Sequence, residues 1–186
     1  QEYIEALIHF CADIGGKVLV HGSPHQRTIK EGWNAKDSWD YAIETFKVSL
    51  KAARQRNVIY CLEPLSPEQT NFINTIKEAI RFVKEVRHPN LKMVFDCRSA
   101  SASEKSLTEA LLQALDSGYL RHVHMNDANG SGPGFGETNF TPILKTLLKN
   151  GYKGYISVEV FNFDPDPQTI ASRSIGYLKG ILEALT

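Results

Sequence analysis

The chain has 186 residues, 42% of them hydrophobic and 23% charged. That is enough for one sizeable core, and it excludes a disordered segment. Lys+Arg and Asp+Glu both number 21, for a formal net charge of zero, so no global basic field favours nucleic acid as a partner.

Cys11, Cys61 and Cys97 show no framework or CxxC spacing, and no signal peptide or long apolar span occurs. The expectation is a reduced, cytoplasmic protein with no membrane contact, its cysteines serving as small packing residues. The sequence opens at Gln1 and runs directly into a helical pattern carried by Ile4, Leu7, Ile8, Cys11 and Ile14, as if it began part-way through a domain.

Gly15 and Gly16 stop that pattern, and KVLVHGSP follows as a short apolar strand with His21 at its end. The polar loop PHQRTIKEGWNAKD, with Arg27 and Trp33, is too long for a tight turn and reads as a working loop. A helix starting near Asp37 or Ser38 buries Trp39, Ile43, Phe46, Leu50 and Ala53 and ends around Asn57. The strand VIYCLEPL ends in Glu63, and Pro64 and Pro67 bar a helical continuation.

Thr75 and Glu78 form a capping-box pattern for a helix to about Arg87. LKMVFD is a third strand ending in Asp96, and CRSASASEK after it reads as a serine-rich loop. Ser106 and Glu109 repeat the capping signature ahead of Leu111, Leu112 and Leu115, until Gly118. RHVHMND is a fourth strand, with His122 and His124 on one face. The run ANGSGPGFGETNF after it reads as a mobile or tightly turned loop, and it is not a GxGxxG fingerprint. Thr141 and Pro142 make an N-cap and first-turn pair for a helix through Leu148. YISVEV is a fifth strand with Glu159 near its end, and an amphipathic helix with Ile175, Leu178 and Leu182 closes the chain.

Five strand-then-helix units with apolar strands give an α/β class and a parallel sheet in one domain, residues 1–186. Parallel units close either as an open doubly wound sheet or as an eight-stranded barrel, and both gather function at the carboxyl ends of the strands. The strand ends here carry His21, Glu63, Asp96, His124 and Glu159. In the last four strands the polar residue shares parity with Cys61, Val94, His122 and Ser157, the pattern expected if all face one barrel mouth.

Two Glu, one Asp and one His supply oxygen and nitrogen donors suited to one divalent ion such as Mn, Co or Mg, with Zn also compatible. Such an ion polarises a carbonyl and stabilises an enediolate, while a carboxylate on each side of the reacting carbon removes and returns a proton. Glu63 and Glu159 are the candidates for both roles. His21, Asp127 and Asn129 complete the set as candidate substrate contacts.

The blocks VLVHGSPHQR, CLEPLSPEQTNFINT, MVFDCRSA, HVHMNDANGSGPGFGETNF and GYKGYISVEVF, in this order, resemble the sugar phosphate isomerase/epimerase superfamily, the xylose isomerase-like TIM barrels that include D-tagatose 3-epimerase. The resemblance covers the chain from Lys17 onward. It implies a divalent metal held by Glu63, Asp96, His124 and Glu159, proton transfer by the two glutamates, a sugar or sugar phosphate as substrate, and an Arg27 that touches substrate or a neighbouring loop.

Two departures stand out. The epimerases usually carry a histidine three residues after the metal-binding aspartate, where this chain has Ser99 preceded by Arg98. By family order the five strands are the fourth to eighth, so the (β/α) barrel is incomplete in its first three strands. Its open edges call for a homo-oligomer or for further chain.

Aldose-ketose isomerisation, epimerisation and polyol dehydration all start from the same proton abstraction, and a non-catalytic sugar-binding or assembly remnant is a further alternative. An endonuclease IV-like nuclease needs more histidines, including one at Ser99, and is disfavoured by the missing basic surface.

Overall fold

The computed structural model describes all residues from Gln1 to Thr186. Helix α1 (Glu2–Asp13) precedes strand β1 (Val18–His21), and helix α2 (Ala35–Arg56) then leads to β2 (Ile59–Leu62). The α2 helix starts slightly earlier than its apolar pattern suggests. The Asn34 side chain accepts from the backbone N–H groups of Lys36 and Asp37, while Asn57 ends the helix in the left-handed conformation at φ 54°. Helix α3 (Ile76–Val86) carries the full capping box, with Thr75 accepting from Glu78 N and Glu78 accepting in return from Thr75 N.

Strand β3 (Leu91–Asp96) runs straight into helix α4 (Cys97–Ser103), where the sequence pattern had suggested only a serine-rich loop. Asp96 is the reason. Its carboxylate accepts from Ser99 N at 2.7 Å and caps the first turn of CRSASAS. Helix α5 (Leu107–Asp116) is capped by Ser106, which accepts from Glu109 N.

Strand β4 (Leu120–Met125) is followed by the glycine loop and helix α6 (Thr141–Lys149). The cap of α6 also departs from expectation. Phe140 occupies the N-cap position, Thr141 and Pro142 form the first turn, and the Asn139 side chain accepts from Thr141 N. Strand β5 (Tyr155–Val158) and helix α7 (Pro167–Leu185) complete the chain.

The five strands are all parallel and lie in sequence order β1-β2-β3-β4-β5, so β1 and β5 each keep one open edge. Side-chain alternation divides the sheet into two faces. Tyr60, Leu62, Met93, Phe95, Val123 and Met125 point toward the helices and join the main hydrophobic core. On that side Phe46, Trp39, Phe72 and Phe82 pack edge to face, with ring centroids 5.1 to 6.4 Å apart. The other face carries Cys61, Val94, His122 and Ser157, aligned by the strand register with the residues that end each strand.

The sheet curls around that second face into a half-barrel. Strands β2 and β5 are three positions apart, about 14 Å in a flat sheet, yet the carboxylates that follow them lie within 4.8 Å. This curvature is that of an incomplete barrel, as the strand-end parity and the family resemblance indicate.

Candidate metal centre

Four side chains meet at the carboxyl ends of β2 to β5: Glu63, Asp96, His124 and Glu159, with one ligand atom from each lying within 4.8 Å of the others. Glu63 follows β2, where its N–H donates to His21 O. Gly22 lies against it, and a Cβ at that position would collide with the Glu63 carboxylate. Arg27 Nη2 donates to Glu63 O at 2.7 Å, which ties the working loop to this strand end. Burial lowers the Arg27 pKa to about 10, opposed by the nearby Glu63 and Tyr60.

His124 Nδ1 is the focus of the cluster. It lies 2.8 Å from Glu63 Oε1, 3.4 Å from Asp96 Oδ2 and 3.2 Å from Glu159 Oε2. Glu63, Asp96 and His124 are buried, and Glu159 is partly exposed. One ring nitrogen offers a single N–H or a single lone pair, so it cannot satisfy three carboxylates.

Burial alone would lower the His124 pKa, but the hydrogen bonds with Asp96, Glu159 and Glu63 carry it up to about 12. Glu63 moves the other way from an ordinary carboxylate, raised chiefly by burial and only partly held down by His124. For Asp96 burial also acts upward, yet its hydrogen bonds with His124, Ser99 N and Asn126 win and its pKa is lowered.

Three acidic groups around one imidazole leave an excess of negative charge that a divalent cation between them would offset. The donor set of three carboxylates and one imidazole therefore fits an oxygen-favouring divalent ion.

Asn126 is a member of this site that the sequence reading passed over. Fully buried, it donates from Nδ2 to Asp96 Oδ2 at 2.7 Å and to Glu159 Oε2 at 3.4 Å, and its Oδ1 accepts from Arg98 N at 2.8 Å. The signal was present, because residues 122, 124 and 126 share one parity. One step below the cluster, His122 Nε2 and Ser157 Oγ are paired at 2.7 Å across β4 and β5.

The four expected substrate contacts are placed differently. His21 is not brought to the cluster. It shares a face with Tyr60 and Leu62, its Nδ1 hydrogen-bonds to Tyr60 Oη at 2.6 Å, and its ring meets the edge of Phe46. The alternation along β1 explains this, since Val20 and Gly22 take the inner positions.

Arg27 contacts the Glu63 main chain. Asp127 and Asn129 are spent on the glycine loop. Asp127 Oδ2 accepts from Thr138 N at 3.0 Å, and Asn129 Oδ1 accepts from Ser131 N at 2.9 Å while its Nδ2 donates to Phe135 O. That loop is tightly turned and docked, with Gly130 at φ 81° and Gly134 at φ 86°. Phe161 N donates to Gly130 O, and Arg173 Nη2 donates to Gly134 O.

Residues 1–181 match the family described as Xylose isomerase-like TIM barrel. Among curated relatives, the D-psicose 3-epimerase of Ruminiclostridium cellulolyticum is 32% identical over 126 residues, which is 68% of this chain and 42% of that protein. The 3-dehydro-D-guloside 4-epimerase of Escherichia coli is 31% identical over 183 residues, 95% of this chain and 69% of that protein. The chain thus spans less than half the length of the first relative and about two thirds of the second.

Among solved structures, the apo form of 3-keto-D-glucoside 4-epimerase from E. coli superposes with a TM-score of 0.86 at 24% identity, covering 96% of this chain and 70% of that one. An L-ribulose 3-epimerase gives a TM-score of 0.87 at 19% identity, covering 99% and 67%. At these identities the structural matches establish the fold, while the residue 1–181 match and the E. coli relative carry the classification: the chain belongs to the xylose isomerase-like TIM barrel family.

Proposed function

We propose that this chain carries the metal and proton-transfer centre of a sugar isomerase or epimerase. The observation that carries the reading is the convergence of Glu63, Asp96 and Glu159 on His124 Nδ1 at the mouth of the half-barrel. The names of the relatives, ketose 3-epimerases and a 4-epimerase, agree with it.

In this reading Glu63, Asp96, His124 and Glu159 would hold one divalent ion, Mn, Co or Mg, which would supply Lewis-acid polarisation of a substrate carbonyl. Glu63 and Glu159 lie on opposite flanks of His124, one from the second strand and one from the fifth. One removes a proton from the carbon beside the carbonyl, and the other returns a proton to the opposite face. Burial raises the Glu63 pKa, and a bound cation would oppose that shift.

Asn126 fixes the orientation of Asp96 and Glu159, and Arg27 fixes the Glu63 main chain. The ligand is a small sugar. The zero net charge gives no basis for nucleic acid, and no helix is long and apolar enough to cross a membrane. The three cysteines are buried and free, which suits a reducing compartment such as the cytoplasm.

The test is proton exchange in deuterated water. A ketose incubated with the purified, metal-loaded protein should acquire deuterium at the carbon next to its carbonyl. Glu63→Gln and Glu159→Gln should each abolish that incorporation at manganese concentrations that keep the site filled. Undiminished exchange in either variant would overturn the two-carboxylate scheme.

A further inference from the structure

Arg98 stands beside the cluster with its donors unused. Its main-chain N–H is fixed by Asn126 Oδ1 at 2.8 Å, the same asparagine that holds Asp96 and Glu159. Its guanidinium lies over the Phe161 ring, 5.0 Å from the centroid, and its Nε lies 3.8 Å from where a Cβ on Gly130 would be. Gly130 and Phe161 are themselves joined by the hydrogen bond from Phe161 N to Gly130 O at 2.8 Å. The segments that follow β3, β4 and β5 therefore meet at this one side chain.

No group of this chain pairs with the charge. The ion pairs of the chain lie elsewhere, and Nε is buried without an acceptor. Asp96 is only two residues away, but its carboxylate is taken by Ser99 N, Asn126 and His124, not by Arg98. A guanidinium held by a ring face, with its fork of N–H donors free, is suited to a planar or tetrahedral anion. A neutral sugar would offer it hydrogen-bond acceptors but no opposite charge.

We propose that Arg98 binds an anionic group, a carboxylate or a phosphate, on the sugar whose reacting carbon lies at the Glu63–Asp96–His124–Glu159 cluster. The substrate class is then a sugar acid or a sugar phosphate in preference to a neutral ketose. This rests on the reading of the cluster given above, and it assigns Arg98 the role of a specificity-determining residue. The position carries a charge that the neighbouring Ser99 could not supply.

The experiment is calorimetric binding of D-fructose, D-fructose 6-phosphate and D-glucuronate to the manganese-loaded chain, with manganese content measured on the same samples. At least one charged sugar should bind about tenfold or more tightly than D-fructose, as one charge-assisted fork contact implies. Which of the two does so separates phosphate from carboxylate. In Arg98→Ala and Arg98→Gln the ratio of charged to neutral affinity should fall to about one, and Arg98→Lys should retain part of it. The glutamine variant keeps the stem over Phe161 should the alanine variant fold poorly.

A ratio near one in the unaltered chain, or a ratio unchanged in the glutamine variant, overturns the proposal. Manganese bound with no charge preference refutes Arg98 alone. A charge preference that vanishes with Arg98 in a chain that binds no manganese would uphold the anion site and refute the cluster reading. Absence of both refutes both.

Discussion

Asn126 shows how a side chain outside the four ligand candidates sets the geometry of the site. Its two N–H bonds hold one oxygen each of Asp96 and Glu159, and its own oxygen is fixed by Arg98 N. Removing such an outer contact typically costs about 10- to 100-fold in metal affinity. Asn126→Ala should therefore weaken manganese binding by about that factor, read by competition with a chelating dye, while the folded far-UV spectrum is retained. Unchanged affinity would show that Asp96 and Glu159 are oriented by other contacts.

The four ligand candidates were legible because each is a polar residue ending an apolar strand. Asn126 was within reach of the same alternation but was hidden in the polar run MND. Asp127 and Asn129 looked like substrate contacts from their place after a strand, yet their polar atoms close the glycine loop. A sequence lists polar groups without saying which of them the backbone will use first.

Between elements, β1 packs on α2 through a half-buried imidazole. His21 sits against Phe46 and Tyr60, and its pKa is lowered to about 4, first by burial and then by Arg27. The sign follows from linkage. A histidine whose folded pKa lies below its unfolded value of 6.5 takes up protons preferentially when unfolded, so its contribution to stability is complete above about pH 6.5 and is lost as pH falls toward 4. At pH 5 the loss relative to pH 8 is about 2 kcal/mol. Denaturant titrations should show His21→Phe losing less stability than the native sequence between those two pH values. Parallel losses in both proteins would mean that His21 is protonated without cost in the fold.

Helix and strand positions followed the periodicity closely, and the departures have local causes. The CRSASAS segment became helix α4 because a strand-end aspartate doubles as its cap, and α6 took Phe140 as its N-cap because Asn139 satisfies Thr141 N from outside.

At the scale of the molecule, the strand-helix alternation makes the parallel order readable, but the curl that brings β2 and β5 together depends on long-range packing. No local pattern in the sequence contains it. The resulting half-barrel leaves β1 and β5 with open edges, and α1 with its C-cap carries exposed Tyr3, Phe10 and Ile14. Surfaces of this kind favour association, so the chain is expected to run above its 20.8 kDa monomer mass in light scattering coupled to gel filtration, as a homo-oligomer. A clean monomer at micromolar concentration would contradict that expectation.

Elemental analysis of chelator-free protein beside its Asp96→Ala variant decides whether Glu63, Asp96, His124 and Glu159 form one divalent-metal site. About one divalent ion per chain is expected in the native sequence, lost in the variant. An equal metal content in the two proteins, or none in the native chain after equilibration with manganese, would contradict it.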